Sequence, residues 1–352
     1  MKINKCRICD SKSLGKLFSL GKQAFTGKFT NVEKRNVKKD FISLVKCKSC
    51  SLVQLDRNFN SNFLYGQDYG YRTGINYTMT NHVKDVAKKA SKFVSLKIND
   101  AVLDIASNDG TLLNSYSNKV ITVGIDPILN KYKKNYKNIN YKIPDFFSYK
   151  ALTKIRIKKF KIITALSVFY DLKNPNHFIR DVKKILHPDG VFVLEHADLL
   201  LILKNNLFDT ICHEHLEYYS TKTINFILSK FNLKICDHNY NDVNGGSSQY
   251  FIVHKKSKYR IKNLKIKKIL KLEKKYKLEN KKTYLNFYKK ILKIKKKLLL
   301  IINSIKRQKK IIHGYGASTK GNVLLQFFKI SKKHLDYISD RNITKKNFFT
   351  PG

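Results

Sequence analysis

Two histidines, three acids and two tyrosines crowd into residues 208–220, which read FDTICHEHLEYYS, with Cys212 ahead of the first histidine. The stretch is too polar for a core and too rich in titratable groups for a plain connection. It offers two chemistries: ligation of a metal by His213, His215 and their acidic neighbours, or acid/base catalysis. The spacing weighs against a metal. The His-Glu-x-x-His pattern of helical zinc sites is absent. Histidines two apart diverge on a helix and share a face only in an extended segment.

A metal also has a better home. Cys6-Arg-Ile-Cys9 and Cys47-Lys-Ser-Cys50 are two Cys-x-x-Cys knuckles. Four thiolates suit a closed tetrahedral Zn2+, a scaffolding site with no open position for substrate. The loop between the knuckles leaves room for strands, so residues 1–60 are expected to form a small zinc-binding β domain. The chain runs polar into Cys6 without a secretory segment, so disulfides are not expected and a cytoplasmic location is. The longest apolar runs, near 199–203 and 298–302, are too short to span a bilayer.

These groups need a scaffold, and the middle of the chain supplies its pattern. A helix over 78–96 opens an alternation of strands and helices. Strands are expected at 101–106, 120–125, 161–166 and 190–194, with a turn at His187-Pro188-Asp189 and a helix opening at 111–116. The pattern predicts a parallel α/β sheet within 61–255. Ligands of such sheets bind beyond the carboxyl ends of the strands. That rule singles out Asp104, Ser107, Asn108 and Gly110 after the first strand, Asp126 after the second, Asp145 and Phe146 further on, and Ser167 after the third. The first turn has a single glycine and two acids, Asp104 and Asp109, so it disfavours a pyrophosphate and suits a cationic centre. Asp126 would take the two hydroxyls of a ribose, and Asp145 and Phe146 would border a purine. Ribose, purine and a cationic sulfonium together describe S-adenosylmethionine.

Ahead of the sheet, Tyr65, Tyr69, Tyr71 and Tyr77 alternate with Gly66, Gly70 and Gly74, a loop able to cover a pocket. Behind it, a helix at 221–231 and strands at 233–239 and 248–254 close the domain. The turn Asn244-Gly245-Gly246 between those strands offers backbone N–H groups to an anion, or is a plain hairpin. Residues 256–310 are Lys-rich, with apolar residues at three- and four-residue spacing, which predicts a helical segment. A strand at 310–315 runs into Gly314-Tyr315-Gly316-Ala317-Ser318-Thr319-Lys320-Gly321, followed by a helix at 322–328 and a strand at 335–339. Residues 311–352 thus read as the start of a second Rossmann-like domain, apparently incomplete. The formal charge of +46 raises nucleic acid or an anionic surface as partners. Lys far outnumbers Arg and the excess is spread along the chain, which favours compositional drift over base reading.

The two knuckles, DYGYRTG, VLDIASNDGTLL, GIDP, DTICHEHLEYYS, NGGSSQYF and GYGASTKGNVLLQFF, in that order, resemble the sugar C-methyltransferase family over nearly the whole chain. The resemblance implies a class I methyltransferase Rossmann-like sheet between a zinc-binding N-terminal domain and a C-terminal Rossmann-like domain that helps to hold a nucleotide-linked keto sugar. It implies that His215 is the general base, Glu214 a sugar-contacting acid, and Tyr71 a tyrosine that the N-terminal region lends to the pocket. The chain departs from the family's pattern at three points. Cys212 stands where characterised members tend to carry a tyrosine, Asp171 stands where they carry a histidine, and their C-terminal domain runs some tens of residues further.

The expected reaction is methyl transfer from S-adenosylmethionine to a ring carbon made nucleophilic as an enolate. His215 would remove the C–H proton, a role that contributes on the order of 10²–10⁴-fold. Tyr71, Tyr218 and His213 are candidates to steady the oxygen. Ser318, Lys320, Asn244, Gly245 and Gly246 are candidates to hold the diphosphate. The competing expectation is a nucleic-acid methyltransferase with a zinc module. Against it, neither a Pro-Pro-Tyr-like turn nor a catalytic cysteine stands at 167–170. A monomer acting on a small molecule, with no membrane partner, is the expectation.

Overall fold

The computed structural model describes residues 1–27, 29–32, 37–66 and 70–351. Strands β1 (Leu14–Ala24), β2 (Lys39–Cys47) and β3 (Val53–Leu55) pair antiparallel. Register shifts around Ser19 and Gly21 let β1 curl. Helix α1 (Ser61–Tyr65) follows, its first N–H groups received by the Asn60 side chain. Helix α2 (Tyr77–Val94) is capped by Asn76 and ends at Ser95, which takes a left-handed conformation. Its Val83, Val86, Ala87, Ala90 and Val94 recur on one face and are buried. Each of those valines contributes roughly 1.5–3 kcal/mol by leaving water.

The central layer runs β4 (Ala101–Ile105), β5 (Ile121–Ile125), β6 (Tyr141–Ile143), α3 (Tyr149–Leu152), β7 (Phe160–Leu166), α4 (Pro175–Ile185), β8 (Leu186–Ala197) and α5 (Leu199–Lys204). Then come β9 (Glu217–Tyr218), α6 (Thr221–Ser229), β10 (Leu233–Asn241) and β11 (Ser247–His254). The large sheet has the order β10-β11-β8-β7-β4-β5-β6. β8, β7, β4, β5 and β6 are mutually parallel, and β11 runs antiparallel between β8 and β10. This is the class I methyltransferase arrangement expected from the sequence. The strand order reverses between β4 and β7, so the crevice at their carboxyl ends is the natural ligand site.

β9 does not join that sheet. It pairs with β3, Val53 opposite Tyr218 and Gln54 opposite Glu217, and becomes the fourth strand of the N-terminal sheet. The His-Glu-His stretch, reached from β8 through α5, therefore leads straight into the N-terminal sheet.

Two local expectations change. The helix expected at 111–116 is only a 3-10 turn, Leu113–Ser115, because Asn114, Ser115 and Ser117 favour turns over helix. The turn expected at 187–189 lies inside β8, as an irregularity between the Phe160 and Ile162 pairings with β7. The Lys-rich segment folds as α7 (Asn263–Lys275) and α8 (Lys281–Arg307), with Tyr284, Phe287, Ile291 and Ile302 of α8 buried. Strands β12 (His313–Tyr315) and β13 (Tyr337–Ser339) pair parallel across α9 (Thr319–Phe328). From α9, Asn322 donates to the Thr26 carbonyl at 2.6 Å, and the Gln326 amide bonds both backbone groups of Ala24. Among the described residues no helix is long and apolar enough to cross a membrane.

Candidate active site

The four knuckle cysteines converge. Cys6, Cys9, Cys47 and Cys50 place their sulfurs within 4.8 Å of one another. The Cys6–Cys50 and Cys9–Cys47 sulfurs are 3.5 Å apart. Four thiolates around Zn2+ at about 2.3 Å need edges of roughly 3.8 Å, so the cluster is of a size to hold the ion. Between the first two cysteines, Arg7 turns inward. It donates to the carbonyls of Leu55, Arg57 and Leu216 and to Gln54 and Asn58, and its guanidinium lies 3.3 Å from the buried Glu217 carboxyl. The zinc knuckle is thus tied to the two residues that follow His215.

A cavity of about 490 Å3 lies at the carboxyl ends of β4, β5 and β7. At one end stand Asp104, Ser107, Asn108, Asp126, Phe146 and Ser167. The turn after β4 holds Ala106 and Asn108 at positive φ, with φ of 60° and 52°, strain of the kind kept at binding turns. Asp126 accepts the N–H groups of Asn108 at 2.9 Å and Ile128 at 2.8 Å, which fixes its carboxylate toward the cavity floor. Burial pushes the Asp104 carboxyl up to about 7, the Thr164 hydroxyl at 2.6 Å opposing and the charge of Asp126 adding. Two buried carboxyls beside one cavity, neither in an ion pair among the described residues, suit a cationic ligand bearing hydroxyls. S-adenosylmethionine fits that description.

The second acid of the turn has another task. Asp109 Oδ2 accepts Arg72 Nε at 3.1 Å and the Gly74 N–H at 2.9 Å. Asn108 accepts the Thr73 N–H and donates to the Tyr71 carbonyl. The Tyr–Gly loop is thereby latched onto the turn, and Tyr71 lines the mouth of the cavity. Tyr69 of that loop lies outside the described residues.

Toward the other end the lining comes from distant parts of the chain: Tyr65, Tyr170, Asp171, Thr210, Cys212, Glu214, His215, Asn244, Ser318 and Lys320. His215 Nδ1 sits 2.7 Å from the Thr210 carbonyl. A carbonyl only accepts, so Nδ1 carries the proton and Nε2 keeps its lone pair. Burial pushes this imidazole down to about 3, against the Thr210 bond and helped by the Lys320 ammonium. The Tyr170 ring packs on it at 4.3 Å, and the Tyr170 carbonyl holds the Leu216 N–H at 2.7 Å. Glu214 accepts from the Thr26 hydroxyl at 3.0 Å and the Gly27 N–H at 3.1 Å. Lys320 Nζ donates to the Asn244 carbonyl at 2.7 Å, and Asn244 donates to Ser167 Oγ. Ser318 caps α9 by accepting the Gly321 N–H.

Six of the expected residues are not brought to the cavity. The chain at 211–216 is bent rather than extended, so His213 faces away from His215. Its ring stacks on Phe25 and its Nε2 meets the Asp40 carbonyl. Tyr218 is buried in β9 with its hydroxyl on the His215 carbonyl at 3.0 Å, which makes it a prop for the histidine. Asp145 points outward and accepts the Phe146 N–H. Gly110 has φ of 76°, and a Cβ there would meet the Tyr136 ring at 3.1 Å; it is a packing glycine. Gly245 and Gly246 press onto Leu207 and Leu201, where a Cβ would come within 2.9 Å. The sequence held no signal for Thr26 and Gly27, whose partner Glu214 is far along the chain.

Three protein-family models match successive parts of the chain. Residues 6–65 match one described as "Putative zinc binding domain", 71–238 one described as "Methyltransferase domain", and 242–352 one described as "C-methyltransferase C-terminal domain". The C-methyltransferase NovU of Streptomyces niveus is 24% identical in an alignment covering 99% of this chain and 84% of that protein. Among solved structures, an S-adenosylmethionine-dependent methyltransferase from Clostridium acetobutylicum is 15% identical with a TM-score of 0.39, covering 50% of this chain and 92% of that one. The PH0226 protein of Pyrococcus horikoshii is 15% identical with a TM-score of 0.40, covering 52% and 94%.

Proposed function

We propose, for this S-adenosylmethionine-dependent C-methyltransferase with its zinc-binding domain, that the acceptor is a ring carbon beside the keto group of a nucleotide-linked sugar. The observation that carries the reading is His215. It is a neutral histidine with a fixed tautomer and an Nε2 that has no hydrogen-bond partner among the described residues, in the same cavity as Asp104 and Asp126. When bound, the methyl donor supplies an electrophilic methyl group on a sulfonium.

The chain's own residues make the nucleophile. His215 Nε2 takes the C–H proton next to the ketone, and its electron pair moves into the enolate. Tyr71, at the mouth, steadies the oxygen. Neither His213 nor Tyr218 shares that task, since both side chains are committed elsewhere. Glu214, oriented by Thr26 and Gly27, accepts from sugar hydroxyls. Lys320, with the α9 N-terminus behind Ser318, meets the diphosphate. Binding of that anion offsets the ammonium that helps to keep His215 weakly basic, so substrate capture itself raises the basicity of His215.

The test separates the enolate from the methyl transfer. In D2O, without methyl donor, the enzyme should exchange deuterium into the carbon beside the keto group of an accepted sugar nucleotide. Addition of labelled donor should then place the methyl group on that carbon. No exchange and no label in any of a panel of nucleotide-linked keto sugars, with label entering RNA instead, would overturn the reading.

A further inference from the structure

Near the end of β8, Glu195 is fully buried and is not among the residues that line the cavity. Its side chain gathers distant elements. Oε1 lies 2.7 Å from His82 Nε2 on α2. Oε2 accepts the Gln249 amide of β11 at 2.8 Å and the Asn241 amide, at the end of β10, at 2.9 Å. An apolar residue would join the same strands without the cost of taking a carboxyl out of water, so the carboxyl calls for a reason.

The Asn241 arm supplies one. Asn241 Oδ1 accepts the Val243 N–H at 3.0 Å and holds the start of the 3-10 turn Val243–Gly245. Within that turn, Asn244 donates from Nδ2 to Ser167 Oγ at 3.3 Å. Ser167 gives its N–H to the Glu195 carbonyl at 2.9 Å. The bonds close a ring that runs from Glu195 through Asn241, the turn and Ser167 back to Glu195. Ser167 and Asn244 both line the cavity, and both have positive φ, 57° and 58°. Left-handed backbone costs free energy in a residue with a Cβ and persists where the surroundings hold it. Ser167 belongs to the methyl-donor end, whereas the Asn244 carbonyl holds Lys320 Nζ at 2.7 Å. The His82 arm reaches α2, whose Met79 and Val83 also line the cavity.

We propose that Glu195 is a positioning residue. By holding Ser167 and the Asn244 turn in their left-handed conformations, it sets the spacing between the bound methyl donor and the acceptor sugar. The identity of that acceptor rests on the keto-sugar reading. Donor affinity rests on Asp104 and Asp126, which the ring does not include. Loss of the ring therefore misplaces the reactants without releasing the donor, and a shift of about 1 Å costs a reaction on the order of 10²-fold.

Single and paired substitutions test this. Glu195→Ala leaves Asn241 and His82 without their acceptor, and kcat should fall on the order of 10²-fold while donor affinity by calorimetry stays within about threefold. Glu195→Gln keeps an oxygen for Asn241 and Gln249 and an N–H for His82, so kcat should recover to within about threefold of native. Should Glu195→Ala fail to fold, Asn241→Ala cuts only the partly exposed arm to the turn and should lower kcat about tenfold. Combined with Ser167→Ala, it should lose no more than about twofold beyond the larger single loss, because both cut one ring. Without ligands, the backbone amides of residues 243–246 should exchange hydrogen about tenfold faster in Asn241→Ala than in native enzyme, with those inside β11 unchanged. Equal losses in Glu195→Gln and Glu195→Ala, losses that multiply in the double variant, or native exchange rates in the turn would overturn the proposal. So would losses of kcat that track melting temperature across the variants. If native enzyme turns over no keto sugar, the parent reading falls. The exchange rates then decide alone: faster exchange upholds the hold of Glu195 on the turn, and native rates overturn it.

Discussion

The two ends of the cavity are built in opposite ways. The Asp104–Asp126 end comes mostly from one run of chain, β4 through β5 and the turns after them, with Asp126 held by the N–H groups of Asn108 and Ile128 and Asp104 by the Thr164 hydroxyl of β7. The His215 end is gathered from residues near 26, 65, 171, 212, 244 and 320, held by bonds that cross from one sheet or helix to another. A local construction tolerates change elsewhere. A gathered one fails when any of its distant supports moves. The two ends should therefore respond independently to damage.

His215→Asn gives the largest separation expected. Turnover should fall on the order of 10²–10⁴-fold while methyl-donor affinity by calorimetry stays within about twofold. A parallel loss of donor affinity would show that the ends are not independent. Arg7→Met comes next. It removes a buried guanidinium that serves the Leu55, Arg57 and Leu216 carbonyls and leaves Glu217 alone in the core. The protein should lose about 3 kcal/mol or more in denaturant unfolding. Where folded, it should lose turnover before donor binding. Chelation of zinc should give the same order of losses.

A smaller effect probes the other end. The free Asp104 carboxyl titrates near 7, and only its ionised form attracts a cation. Binding a sulfonium therefore lowers that value, so donor affinity should rise as pH increases toward about 7 and level off above. The rise should reach roughly tenfold per unit at most and should vanish in Asp104→Asn. The smallest effect is that of Tyr71→Phe. Its backbone carbonyl keeps the bond from Asn108, so the latch should persist and turnover should drop only about fivefold, the weight of one hydrogen bond.

The same contrast explains what was legible in the sequence. The alternation of apolar strands with turns ending in Asp104 and Asp126 fixes both the parallel sheet and the first half of the cavity, because strand order and ligand position follow from local pattern. The four cysteines were legible because spacing alone brings thiolates together. The divergence of the two histidines was not. Their spacing gives a shared face only in an extended segment, and the bend at 211–216 turns them apart, His213 into a pocket formed by Phe25 and Phe59 from the N-terminal part of the chain. Nor could the sequence show that Asp109 spends its charge on Arg72, or that the glycines at 245 and 246 serve the close approach of Leu201 and Leu207. Each of these depends on a neighbour that only the folded chain supplies.

The pairing of β9 with β3 also has a consequence for synthesis. The N-terminal strands leave the ribosome first, but the segment that covers the outer edge of β3 emerges on the order of ten seconds or more later. Throughout that interval β3 offers unpaired backbone groups to any neighbouring nascent chain. At three residues, Val53–Leu55, it is a very short strand. That brevity limits self-association on the polysome until the His-Glu-His stretch arrives to close the sheet.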